Sequence, residues 1–415
     1  MLPDSGEECS PRRPTKQYTL ICSQPFAGPQ QFEADLGRVS LDQREGDPDG
    51  VNRIQVRWGD IDAEILPSKG FSVGQVAYRG VPIFWESPLD LLPVPALVDP
   101  EAPLLVNGSP LEGFGWIRGF TGGVEMLGLL NWGLPLRTSD DRFLGLHGAA
   151  ANIPVRETTV QVREEELRIT ASFEVRDRTA RAAAKEQPWY EVGDPVYRVK
   201  KNLIFRQQLS GFLLHDEIAN LTAVRQNPDW GYHVQLKPQP GSRYLVPSRE
   251  RHLRGGEETG PNDEVWTPVE PERERVERGV VHRQLTRKPR ILDGEPGVLT
   301  LLSHPDGSGV EVILPPAAYV MSWFSAGGAG SDEFMIPPSS ASGGRPLRIL
   351  NKDWNGAGPE IGASDLDHGS YIDPEVPGES LAPGESMSIR MRFCCLTAEE
   401  TEEREREIRA TSNSG

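Results

Sequence analysis

The sequence predicts an all-β chain: one large antiparallel β-sandwich with few short helices. Period-2 alternation of apolar and polar residues recurs along it, the mark of half-buried strands. Helical periodicity is nearly absent. The 43 glycines and 37 prolines in 415 residues suit many short strands joined by turns.

Taken in order, residues 1–16 read as a flexible tail. MLPDSGEECSPRRPTK has no apolar segment of the kind a signal peptide carries, so a cytoplasmic protein is expected. TVQVR (Thr159–Arg163) runs through Glu164–Glu166, as a hairpin connection, into LRITASFEVR (Leu167–Arg176), a full alternating strand. Arg178–Glu186 has the composition of a short helix. Arg251–Arg290 is charged and proline-containing, and reads as a surface excursion. Val298–Leu302 and Val310–Leu314 flank the turn sequence HPDGSG, and Ala318–Phe324 is a further strand. Gly327–Gly378 is rich in Gly, Ser, Pro and Asp and is long for a connection, which suits a functional loop or lid. Ser388–Phe393 alternates again. The closing TAEETEEREREIRA is charged almost all round and reads as a solvated helix. The expected organisation is therefore a tail (1–16), one domain (17–397) and a charged C-terminal tail (398–415).

A net charge of −17, from 44 basic and 61 acidic side chains, argues against a nucleic-acid partner. No apolar run approaches the ~20 residues that cross a membrane. Cys9, Cys22, Cys394 and Cys395 show no metal-type spacing. They read as reduced thiols, with Cys394 and Cys395 on opposite faces of a strand. P-loop, dinucleotide, HExxH, GxSxG and EF-hand signatures are absent.

Four contexts carry chemistry. His147, in FLGLHGAAANIP, is delivered by an apolar run into small residues, which suits a groove-facing ring or a strand end at the surface. In NPDWGYHVQLKP, Tyr232, Val234 and Leu236 alternate with His233 and Gln235, so His233 and Gln235 share one face. A polar face with aromatics nearby reads both the hydroxyls and the C–H patches of a sugar; a solvent-facing strand is the alternative. His215 and Glu217 share a face opposite Asp216, as a polar strand surface or a metal site. Arg118, in GFGWIRGFTGG, is flanked by Trp116 and Phe120. In an extended segment all three face one way, with Arg118 as a donor to sugar oxygens or a salt-bridge partner.

These segments, in one order along nearly the whole chain, resemble the aldose 1-epimerase family, in its galactose mutarotase-like branch carrying a domain of unknown function (DUF4432). The resemblance runs from AEILPSKGFSVGQVAYRGVPIFWESP through GWIRGFTGGVEMLGLLNWGLP, LGLHGAAANIP and LLHDEIANLTAVRQNPDWGYHVQL to LAPGESMSIRMRF. It implies a galactose mutarotase-like supersandwich with a carbohydrate groove on its concave sheet. It also implies acid–base catalysis at the anomeric carbon, with His as acid and Glu as base on opposite sides of the sugar. By this resemblance His233 is the acid, and His147 and Arg118 bind substrate; Gln235, Lys69 and Trp116 are expected to bind substrate with them. Lys69 stands where the family commonly has Arg, and Ser72 where it has Asp. In EFMIPPSS, Pro337 occupies the position of the family's base. Glu360, in GAGPEIGASD, is assigned that role because burial between Pro and an apolar residue would raise its pKa; Glu333 and Asp332 are the other candidates. The resulting expectation is a cofactor-free sugar isomerase, monomeric or homodimeric, acting on a small-molecule carbohydrate. Two alternatives stay open: a sugar-binding or sensing protein without the base, and a metal-dependent sugar isomerase or lyase using His147, His233 and a carboxylate.

Overall fold

The computed structural model describes residues 15–23, 26–43, 51–85, 99–106, 109–120, 123–138, 141, 143–178, 188–253, 263–265, 276–284, 290–292, 295–316, 319–326, 333–336, 347–350, 355–363 and 380–412. Two large sheets of antiparallel strands dominate, as the alternation predicts. The eleven-stranded sheet has Gly211–Asn220, Ser386–Leu396 and Gly309–Leu314 as neighbours near its middle. The twelve-stranded sheet carries, in spatial order, Tyr319–Ala326, Asn355–Gly362, Asp229–Gln235, Gly123–Leu129 and Ser72–Tyr78. No helix among the described residues is long and apolar enough to cross a membrane.

The core lies between the sheets, and strand parity decides what enters it. Val124, Met126, Tyr232, Val234, Val320 and Ile361 of one sheet meet Val199, Leu203, Phe212, Leu214, Ile389 and Phe393 of the other. Each such side chain contributes about 1.5–3 kcal/mol by leaving water. A polar trio is buried with them. Lys201 Nζ lies 3.0 Å from Asp216 Oδ2, which also accepts a 2.5 Å hydrogen bond from the Tyr232 hydroxyl. Asp216 thus points inward while its neighbour His215 faces outward, half-buried, 3.5 Å from Ser388 Oγ. The alternation in LLHDEI specifies this, because adjacent side chains on a strand take opposite faces.

Three sequence expectations are corrected. Arg251–Arg290 is not simply an excursion: Ser248–Leu253, Asp263–Val265 and Val276–Gln284 within or beside it are sheet strands. The Gly327–Gly378 stretch contains Glu333–Ile336, Leu347–Leu350 and Asn355–Gly362, and the last is a central strand. Gly362 at its end lies directly under the Trp132 ring. Pro359, which cannot donate to a ladder, lies just past the end of the pairing with Asp229–Gln235. The closing helix, Ala398–Ser412, is docked rather than solvated. Ile408 packs with Leu213, Leu299, Leu301 and Ile313, and Arg404 Nε reaches Glu311 Oε2 at 2.8 Å. Thr397 and Glu400 cap its start: Glu400 Oε2 accepts from the Thr397 N–H at 2.8 Å, and Thr397 Oγ1 from the Glu400 N–H at 3.4 Å. Ile408, with Thr401 and Thr411 buried beside it, seats a helix whose composition is mostly charged. Within the Arg178–Glu186 helix expectation, residues 179–186 lie outside the described residues.

Candidate active site

The face of the twelve-stranded sheet turned away from the core carries a row of functional groups. Glu125, His233, Glu360 and Met321 occupy directly opposed positions on four successive strands. Opposed residues of an antiparallel pair share a face with Cβ atoms about 5 Å apart. His233 Nε2 accordingly lies 3.1 Å from Glu360 Oε1. Two residues along the same strand, Gln235 Nε2 is 2.6 Å from His233 Nδ1. The sequence pairing of His233 with Gln235 on one face is therefore realised, and Glu360 joins them from a strand rather than a loop. Glu333 shows only its backbone among the described residues; Asp332 and Pro337 lie outside them.

The groove expected over this face is filled by side chains. Trp116, Phe120, Leu127, Trp132, Leu146 and Met321 form a second apolar cluster there. The Trp116 and Phe120 rings pack on His233, with centroids 6.0 and 5.1 Å away. Beneath Trp132 lie Gly231 and Gly362, directly opposed across two strands. A Cβ on either would fall within 2.5 Å of the indole, so glycine at both lets the ring lie flat on the sheet.

His147 comes from above this floor. Its backbone sits at φ +56°, a left-handed conformation that costs a non-glycine residue about 1–2 kcal/mol. Its ring Nδ1 lies 2.7 Å from the Trp132 carbonyl, and its backbone N–H donates to Gly133. A carbonyl only accepts, so Nδ1 carries the proton and Nε2 the lone pair. Asn131 pins the same loop by donating to the carbonyls of Leu134 and Gly145. The His147 ring stands 4.5 Å from Trp116 and 5.8 Å from His233, edge to face with both. One ligating atom each of His147, His233 and Glu360 lies within 4.8 Å of the others. All three residues are at most 6% exposed.

Two sequence-assigned binders occupy other places. Lys69 is fully buried, with Nζ 2.9 Å from Asn152 Oδ1. Desolvation holds its pKa below the ordinary lysine value, and the Glu125 charge offsets part of that shift. Lys69 thus ties the segment after His147 to the sheet and offers its charge to Glu125, one strand from His233. Arg118 does not share the orientation of Trp116 and Phe120. Gly115–Gly119 is a 3₁₀ turn rather than extended chain, so residues two apart diverge. Trp116 and Phe120 are buried over His233, while the half-buried Arg118 guanidinium donates to the Pro103 carbonyl. Burial lowers its pKa.

Glu125, Trp132 and Asn152 are the neighbours that sequence reasoning missed. A lone acid in the apolar run GVEMLGL was a usable signal for Glu125. Nothing local marks Trp132, because its partners are glycines about 100 and 230 residues away.

The family model described as a domain of unknown function (DUF4432) matches residues 48–292. The chain belongs to the DUF4432 family. The matched span carries His147, His233, Glu125 and the Trp116 turn; Glu360 follows it. No curated protein matches the sequence. Among solved structures, the chain resembles a Klebsiella pneumoniae protein provisionally named an aldose 1-epimerase. The two are 16% identical, with a TM-score of 0.70 over 96% of each chain. It also resembles the Slr1438 protein of Synechocystis, at 13% identity and TM-score 0.54, over 86% of this chain and 99% of that one. A Salmonella typhimurium protein provisionally named a mutarotase, YeaD, aligns at 10% identity and TM-score 0.51, over 86% and 94%. The DUF4432 chain thus has a fold shared with proteins so named.

Proposed function

We propose that this DUF4432 protein is a carbohydrate-active isomerase of the aldose 1-epimerase type, with His233 and Glu360 as its acid–base pair. The observation that carries the reading is the 3.1 Å contact between His233 Nε2 and Glu360 Oε1 at opposed positions on neighbouring strands. It is set among the indole and phenyl rings of Trp116 and Phe120. Aromatic faces suit the C–H patches of a pyranose. The anomeric hydroxyl and the ring oxygen are bonded to the same carbon, so a contiguous pair can serve both. Glu360 takes the hydroxyl proton, and His233 delivers one to the ring oxygen. The ring C–O bond breaks, leaving the open-chain aldehyde, and the reverse transfers close it on the other face. Acid and base touch here, whereas the family resemblance implies opposite sides of the sugar. The pair therefore works from one edge of the substrate.

Trp116 and Phe120 are seated on the His233 ring, so a sugar reaches the pair when the Gly115–Gly119 turn lifts. His147 and Gln235 then orient the substrate and the His233 ring. Lys69 acts behind them through Glu125. A small-molecule sugar as ligand and a cytoplasmic setting belong to the same proposal. A carboxylate in contact with His233 favours an enzyme over a binding protein without a base.

The test is anomer interconversion followed by NMR on a panel of aldoses and uronic acids. Wild type should accelerate exchange of at least one sugar. Glu360→Gln and His233→Asn should each lose about 10²–10⁴-fold, the usual value of a positioned acid or base. Rates equal to buffer across the panel would defeat the reading.

A further inference from the structure

His147, His233 and Glu360 converge as two imidazoles and one carboxylate on a single point above the sheet. We propose that they form a binding site for one divalent transition-metal ion. This rests on the reading above in placing a sugar over this row, and it replaces the acid–base roles there: with the ion bound, His233 and Glu360 would be its ligands, and the ion would act on the sugar oxygens that arrive. Three observations carry the inference.

The first is spacing. First-row divalent ions bind His nitrogen and carboxylate oxygen at about 2.0–2.2 Å, which separates neighbouring ligand atoms by about 2.8–3.1 Å in octahedral and about 3.3–3.6 Å in tetrahedral geometry. The His233 Nε2–Glu360 Oε1 separation of 3.1 Å is already that edge. The third ligand atom lies within 4.8 Å of both.

The second is the support around each ring. Histidines that bind metals almost always donate their far ring N–H to a carbonyl or similar acceptor. His147 does this through Nδ1 to the Trp132 carbonyl. His233 Nδ1 faces the Gln235 amide, whose Oε1 is fully buried and has no hydrogen-bond partner among the described residues. Rotating that amide by half a turn presents Oε1 to Nδ1. The neutral imidazole then carries its proton on Nδ1 and turns the Nε2 lone pair toward the ion. The two amide orientations thus correspond to a His233–Glu360 hydrogen bond without metal and to a metal-ligating His233 with it.

The third is cost. His147 is held at φ +56°, with its loop pinned by Asn131. A left-handed non-glycine residue persists where its surroundings over-determine it, and here the outcome is a second imidazole aimed at the first. Glu360 is only 3% exposed, so its carboxylate is held out of water beside the two rings. Two histidines with one carboxylate form a donor set that suits zinc, iron(II), manganese or cobalt. Such an ion would polarise a sugar hydroxyl or carbonyl oxygen.

The full-length protein should be stripped with chelator and titrated with Co²⁺, with visible absorption and elemental analysis as readouts. Wild type should take up one equivalent, give d–d bands, and gain thermal stability with free Zn²⁺ concentration. His147→Gln and Glu360→Gln should each weaken binding by about 100-fold or more, and Gln235→Leu by about 10–100-fold. No saturable Co²⁺ or Zn²⁺ uptake by wild type would overturn the proposal. So would unchanged affinity in folded His147→Gln and Glu360→Gln. If those variants do not fold, X-ray absorption on wild-type cobalt protein decides: two imidazole scatterers are expected, and none would overturn the site. Anomer exchange on the same samples separates the two readings. Turnover by stripped protein that takes up no metal defeats the metal site and keeps the acid–base pair. Stoichiometric metal without turnover of any sugar keeps the site and defeats the isomerase.

Discussion

Gly362→Ala is a small change with a site-wide consequence. A Cβ at Gly362 would lie 2.3, 2.6 and 2.7 Å from Trp132 Cε2, Cζ2 and Cδ2. Carbon atoms rest about 3.5–4.0 Å apart, so the indole must retreat by more than about 1 Å. Trp132 is 1% exposed, and its carbonyl accepts from His147 Nδ1. The ring therefore has no open side to move into without shifting the His147 loop. Overpacking of this kind costs about 1–3 kcal/mol. Replacing glycine in a strand returns about 0.5–1 kcal/mol, leaving a net loss of about 1 kcal/mol. For a domain of this size that lowers Tm by roughly 1–2 °C. A double-mutant cycle with Trp132→Leu, read by thermal and urea unfolding, isolates the contact. A smaller residue at 132 should relieve the clash, so Gly362→Ala should cost less, or nothing, in that background. Additivity within about 0.5 kcal/mol, or a Gly362→Ala protein as stable as wild type, would refute the packing argument. The single variant should also lose turnover and metal affinity, because His147 moves with Trp132.

Two predictions concern groups away from the site. Asp216→Asn leaves the buried Lys201 ammonium without its counter-charge at 3.0 Å and should cost about 3–5 kcal/mol in urea unfolding. Adding Lys201→Met should recover part of that loss, and a double variant no more stable than the single would show that the buried charge is not the cause. Burial holds the His304 pKa below its ordinary 6.5, with Asp306 partly opposing, and its Nδ1 meets Ser242 Oγ at 2.9 Å. The folded state binds this proton more weakly than the unfolded one, so the contribution is fully present above pH 6.5 and lost as pH falls through the folded value. Wild type should therefore lose stability relative to His304→Gln between pH 7.5 and 5.0, and a difference constant with pH would contradict the assignment.

Alternation alone determined much of this protein. Because side chains on a strand take opposite faces, LRITASFEVR, SIRMRF and GYHVQL specified strands and which residues turn inward, and the sandwich followed from their number. The same parity put His233 with Gln235, and His215 apart from Asp216, before any strand had a partner. What alternation cannot express is register between strands distant in sequence. Glu360 meets His233 across 127 positions of chain, and Glu125 meets it from the other side. That row exists only once three strands pair, which is why Glu360 read as part of a loop and Glu125 as an isolated acid. Local conformation also hid Arg118, since a 3₁₀ turn and an extended segment aim residues two apart differently. The tertiary structure decided the cover as well. Trp132 lies flat because two glycines from different strands oppose each other, and it carries His147 into place. Sequence supplied the chemical groups and their faces. Sheet register and the packing of one indole supplied their convergence.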